Sequence, residues 1–276
     1  MNALQASIGW LDLVATVILA GGIAYGAAVA SPYPIGRRPM RLSVGVIALA
    51  LLLQIALNAL RMHQISGIGG FALAKDVLDM RWSQFWLLRA AGLAALGLAL
   101  SFSRPPWKAL VPVAAAWLMT RSFQGHAGAH GSVPGLVDWL HLMAAAAWLG
   151  SLFQLVCAAN DLTVELATRV RRLATTSALI ALPTGIYAAC LHVPSFDALL
   201  ATSYGRVLTF KLLAAGALVM LGATNHFFHV PALARGDPAG APRLINTVRR
   251  ELWIGGAILL LSALLGVLPM PHAVEP

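Results

Sequence analysis

Long apolar stretches recur along this chain with too little polar interruption to be surface helices. Crossing the hydrocarbon core of a bilayer takes about 20 mostly apolar residues. Eight segments qualify, at roughly 11–30, 42–60, 82–103, 107–125, 136–158, 173–192, 206–228 and 249–269. Each is about twice the length of a membrane β-strand, so the pattern predicts helices. The breaks fall at Ser31-Pro32-Tyr33-Pro34, Arg104-Pro105-Pro106, Val193-Pro194 and the Pro/Gly-rich run 231–242, the residues that punctuate regular structure. The expected fold is an all-α integral membrane protein, a bundle of about eight transmembrane helices forming a single domain over 1–276. One connection stands apart. Between the second and third segments Phe71, Ala74 and Leu78 recur at helical spacing, with Lys75, Asp76 and Asp79 between them. This suits a short amphipathic helix on the bundle or the interface, with a packed loop as the alternative.

Composition agrees. The chain is 59% hydrophobic and only 11% charged, with a mean hydropathy of +0.78, against about 25% charged residues in soluble domains. That excludes an ordinary soluble enzyme, a nucleic-acid-binding domain and a disordered chain. The net charge of +9 is a matter of placement. Twelve Lys and Arg, among them Arg37, Arg38, Arg41, Arg171, Arg172, Arg249 and Arg250, fall in or beside the 1–2, 3–4, 5–6 and 7–8 connections. Five (Arg61, Lys75, Arg81, Arg121 and Arg206) fall on the other side, and Arg89 and Lys211 lie inside helices. Basic loops stay cytoplasmic, so both termini are expected in the periplasm. Ala28-Val29-Ala30 resembles a signal cleavage site, but no Lys or Arg precedes it, and a signal peptide needs a positive n-region. The first segment therefore reads as a retained helix. Cys157 and Cys190 fall at opposite ends of adjacent antiparallel segments, which predicts no disulfide and two buried structural thiols.

Polar groups at membrane depth are costly and therefore informative. Six of the eight histidines (His63, His126, His130, His141, His192 and His272) map toward the predicted outer face, while His226 and His229 map to the inner end of the seventh segment. There, imidazolium would complement a helix C-terminus. Between Lys108 and Arg121 the fourth segment is short, so its helix is expected to continue through Ser122, Phe123 and Gln124 toward His126. One more turn would put His126 and His130 on one face. His141 starts down the fifth segment, and a tight hairpin would bring these imidazoles together as a His-rich metal site requires. Imidazole accepts Cu(I), Cu(II), Zn and Ni, whereas thioether sulfur selects Cu(I); Met62 and Met80 are candidate outer thioethers. Asp138, three residues before His141, is placed to orient that ring. Arg89 and Lys211 read as structural, snorkelling or bonded to carbonyls. No phosphate loop, HExxH or nucleophile elbow occurs, so no enzyme activity is expected.

Gly125-His126-Ala127, then Asp138-Trp139-Leu140-His141-Leu142 and Trp148-Leu149-Gly150, resemble the signature hairpin of the copper resistance protein D (CopD) family. Thr184-Gly185, Thr202-Ser203-Tyr204-Gly205-Arg206 leading to Lys211, Asn225, Pro231 and Arg249-Arg250-Glu251 continue the likeness, as do Trp82 through Trp86 with Arg89. It covers most of the chain from about residue 80 onward. Gly150-Ser151 stands where relatives often have a Gly pair. The resemblance implies an eight-helix inner-membrane protein of copper handling, often beside a separate periplasmic CopC-type carrier, with His126 and His141 on copper. His130 and His63 enter only as geometric candidates to complete the site. Trp148, on nearly the same helical face as His141, would wall the path. The expectation is copper transport across a bacterial inner membrane, Cu(I) ahead of Cu(II), with lipid as the surrounding partner and no nucleic acid. A b-type cytochrome with haem between His141 and His63 or His192, and a copper-binding assembly or sensor protein that moves nothing, stay open.

Overall fold

The computed structural model describes residues 2–30, 32–67, 69–124, 131–193 and 196–269. His126, His130 and His272 lie outside them. The described residues form helices and no strand: α1 (Asn2–Ala28), α2 (Arg37–Ser66), α3 (Gly70–Asp79), α4 (Arg81–Ser101), α5 (Trp107–Gln124), α6 (Ser132–Cys157), α7 (Val164–His192), α8 (Phe196–Ala201), α9 (Ser203–Thr224), α10 (Val230–Ala234) and α11 (Gly240–Leu265). A π-helical turn, Asn225–His229, joins α9 to α10. Six stretches are long and apolar enough to cross a membrane: α1, α2, α4, α6, α7 and the continuous run from α9 through α10. Of the remaining long helices, α5 carries Lys108 and Arg121 near its ends, and α11 carries Arg249, Arg250 and Glu251 in succession. The exterior confirms the solvent: Leu179, Met220 and Trp253 stand outward at 68%, 69% and 82% exposure, an apolar surface that lipid, not water, accommodates.

The helices overrun the predicted segments. α1 begins at Asn2, α2 runs 37–66 and α7 starts at Val164, because a hydropathy window sees only the hydrocarbon stretch and not the turns beyond it. Helix starts are specified locally: Thr163 Oγ1 accepts from Leu166 N at 3.1 Å and caps α7, and Thr202 Oγ1 accepts from Gly205 N at 2.9 Å and caps α9, each satisfying an orphan N–H. At the opposite end of α4, Arg37 donates to the carbonyls of Leu100, Phe102 and Ser103, and Arg41 to Leu100 O. Cations at terminal carbonyls complement the helix dipole. The amphipathic connection is α3, with Val77 buried and Leu78 exposed.

α1 is central. It packs against α2, α5, α6 and α11, and Leu19, Ile23 and Tyr25 on it are fully buried. Its crossing with α6 is a backbone contact: a Cβ on Gly150 would lie 2.5 Å from Gly21 Cα, and one on Gly21 would lie 2.6 Å from Gly150 Cα. Small residues permit such approach between membrane helices, and one glycine per helix suffices here, with Ser151 following as a fully buried hydroxyl bonded to Trp148 O at 2.8 Å. The cysteines differ from expectation. Cys157 and Cys190 are both free and exposed on the bundle exterior, since in a membrane protein the outside is as apolar as the inside and a thiol gains nothing by burial.

Candidate functional site

His141 sits on the third turn of α6, facing α7. Its Nδ1 lies 2.9 Å from Ala181 O and 3.2 Å from Thr184 Oγ1. Thr184 Oγ1 also donates back to Ile180 O at 2.7 Å, so its hydroxyl hydrogen is used and the ring nitrogen must supply the proton between them. Nδ1 therefore carries the hydrogen, and Nε2 keeps the lone pair. The close approach depends on Gly185, where a Cβ would come within 3.0 Å of His141 Cε1. Pro183 lies in the same turn of α7 and has no N–H to give Leu179 O, four residues before it; the Thr184 hydroxyl bonds the next carbonyl along, Ile180 O. The Thr184-Gly185 pair is thus the seat of the imidazole. The bonds that orient His141 come from α7 and not from Asp138. Asp138 and Lys211 instead lie within electrostatic range of the ring and of each other.

The other described histidines are dispersed. His63 lies exposed at the end of α2, which packs on α1, α3 and α4. His192 closes α7, its Nδ1 2.6 Å from Ala188 O and its ring stacked on Tyr204 at 6.3 Å. It lies beyond Gly185 by about 10 Å of helix at 1.5 Å per residue. Among the described residues, no group of three or more His, Cys, Asp or Glu side chains is placed to hold a metal ion. His226 and His229 do not end a helix as expected; they lie in the π-helical turn, and His226 Nδ1 is 3.2 Å from Thr175 Oγ1. Trp148 is buried and lines a cavity of about 330 Å³ on the far side of His141, bounded by α6, α7, α9, the π turn and α11.

Two buried polar pairings were not anticipated from the sequence. Asp12 on α1 is fully buried and accepts from Arg89 Nη2 at 2.7 Å and 3.0 Å, and from Arg121 of α5. Arg89, 2% exposed, also reaches Thr16 Oγ1 at 3.3 Å and stacks over Trp117 at 5.5 Å. It neither snorkels nor rests on carbonyls. The signal available was an unexplained acid in one apolar segment and an unexplained base in another. The second group is Glu251, 1% exposed, paired with Asn225 of the π turn.

This fold defines a polytopic membrane protein whose interior is spiked with a few fixed polar groups. Residues 164–265 match the profile described as copper resistance protein D, and residues 1–136 that of the copper resistance protein D-like N-terminal domain. The chain belongs to the copper resistance protein D family and is a multi-pass inner-membrane protein. It is 27% identical over 267 residues to copper transport protein CutJ of Bacillus subtilis, covering 87% of this chain and 47% of that longer protein. It is 28% identical to copper resistance protein D of Pseudomonas syringae pv. tomato over 82% of this chain and 81% of the relative. With inner membrane protein YebZ of Escherichia coli the identity is 23% over 70% of each. No solved structure matches.

Proposed function

We propose that this protein carries copper across the inner membrane, receiving it at a periplasmic-side site built on His141. The observation that carries the reading is the tautomer of His141. A metal-ligating histidine characteristically gives its other N–H to a carbonyl, which fixes the ring and leaves the free nitrogen for the ion. His141 is held in that way by Ala181 O and Thr184 Oγ1. His126 is the proposed second ligand, with His130 or His63 completing the set and Met62 or Met80 favouring Cu(I). Asp138 balances charge beside the ring, and Trp148 separates this level from the cavity beyond. A separate periplasmic CopC-type carrier would deliver the ion. The test of transport is copper uptake into proteoliposomes containing only this chain; uptake no faster than in protein-free liposomes would leave a copper-binding assembly or sensor role. The purified protein should be colourless, lack a Soret band and take Cu(I) from a competing chelator. Stoichiometric haem surviving purification would replace this reading with a cytochrome.

We also propose eight spans, with α5 and α11 completing the six, and both termini periplasmic. Basic residues dominate the 1–2, 3–4, 5–6 and 7–8 sides, and the structure adds weight, because Arg121 is bound to Asp12 and so is not a free loop charge on the opposing side. In a variant with Cys157 and Cys190 replaced by Ser, Ser132→Cys should react with an impermeant thiol reagent from the periplasm. Arg235→Cys should react only after the membrane is opened. Labelling of both from one side would reverse or break the arrangement.

A further inference from the structure

Of the residues lining the cavity beyond Trp148, five are polar: Arg171 and Thr175 from α7, Asn225 and His226 from the π turn, and Glu251 from α11. Glu251 is the most buried of them, and among the described residues no Lys, Arg or His comes within ion-pair distance of its carboxyl. Among those residues its one hydrogen-bond partner is the Asn225 Nδ2 donor. Asn225 is itself only 7% exposed, and its Oδ1, an acceptor, has no partner among the described residues.

These facts fit one protonation state. An ionised carboxylate offers acceptors only. It would leave Asn225 Oδ1 without a donor and put an unpaired charge against an apolar cavity, which is the costliest kind of burial. A carboxylic acid removes both difficulties, because its O–H is the donor that the amide oxygen lacks while its carbonyl oxygen accepts from Nδ2. Asp12 is the contrast within the same molecule: equally buried, but held between two guanidinium groups, the surroundings of a permanent anion.

We propose that Glu251 is a proton-binding site in the half of the bundle opposite His141, protonated at rest and able to exchange its proton through the cavity. Release leaves a carboxylate held by Asn225 Nδ2, with the proton passing to cavity water or to the ring of His226. The titratable groups sharing the cavity wall are Arg171 and His226; α6, α9 and α10 contribute none to it, α1 does not reach it, and Arg249 and Arg250 on α11 are exposed. The π turn is what makes the site: one extra residue in the helix turns Asn225 inward beside α11, and such turns recur at functional positions. The assignment does not depend on copper.

The test is infrared spectroscopy of the copper-free protein at neutral pH. A carboxylic-acid carbonyl band should be present in the wild type and absent from Glu251→Gln, whose amide keeps both a donor and an acceptor toward Asn225. A wild type without the band, as a bound cation in the cavity would give, overturns the proposal, and so does a band that survives in the folded variant. If Glu251→Gln does not fold, wild-type labelling with dicyclohexylcarbodiimide decides, since the reagent needs a protonated carboxyl in an apolar setting. A mass-mapped adduct on Glu251 supports the site, and absence of an adduct there overturns it.

Discussion

Asp12→Asn should destabilise the protein more than any other single polar substitution in the half of the bundle that holds His141. One carboxylate serves two guanidinium groups, Arg89 at 2.7 Å and Arg121 beside it. Asparagine keeps the shape and an acceptor but removes the charge, leaving a fully buried Arg89 uncompensated. Breaking a buried pair from one side costs about 3–5 kcal/mol. Arg89→Leu should cost less, because Asp12 keeps Arg121, and Arg121→Gln least, because Arg121 is 24% exposed and has lipid headgroups or water within reach. The double variant Asp12→Leu/Arg89→Leu should be more stable than Asp12→Asn, since it removes the orphaned charge along with its partner. Thermal unfolding in detergent, followed by size-exclusion of the surviving species, gives the order. Equal stability of Asp12→Asn and wild type would mean that the cluster is not load-carrying in the fold.

His141→Ala should abolish high-affinity Cu(I) binding while leaving the protein folded. The ring is tied to α7 through Nδ1 only, so its loss costs one hydrogen-bond pair and some packing, and Ala181 O and Thr184 Oγ1 revert to intrahelical partners. The loss in affinity should exceed the roughly 10–100-fold cost of disturbing a partner that merely orients a ligand. Thr184→Val samples that smaller effect: Ala181 O still holds Nδ1, so about a tenfold loss is expected, at the low end of the same range. His126→Ala/His141→Ala should be little worse than His141→Ala, because ligands of one ion are not additive. His226→Ala should bind as wild type. Chelator-competition titrations on monodisperse variants measure all four, and wild-type affinity in the folded double variant would end the assignment of copper to this site.

The sequence carried the helical bundle because apolar length alone writes it. Helix ends were less legible, since Thr163 and Thr202 act as caps only where the chain leaves an extended residue and enters a helix. His141 could be picked out by its depth, and the Thr184-Gly185 pair by family likeness, but not the reason they belong together, which is a ring laid against a glycine. The pairing of Asp12 with Arg89 was out of reach for a different cause. The two are separated by 77 residues, and helical periodicity cannot say which faces of α1 and α4 turn inward when every face is apolar. His226 was misplaced for a similar reason: a π turn leaves no signature in hydropathy, so the helix seemed to end where it only rewinds.

The crossing of α1 and α6 at Gly21 and Gly150 bears on how the molecule can change shape. Two helices touching backbone to backbone are keyed together, and a roll of either about its own axis would swing a neighbouring side chain into the space that the glycines leave open. This pair is therefore a stator. Any cycle that presents an ion first to one side of the membrane and then to the other has to be executed by the parts around it, where Pro183 removes a bond from the ladder of α7 and Asn225–His229 rewinds as a π turn.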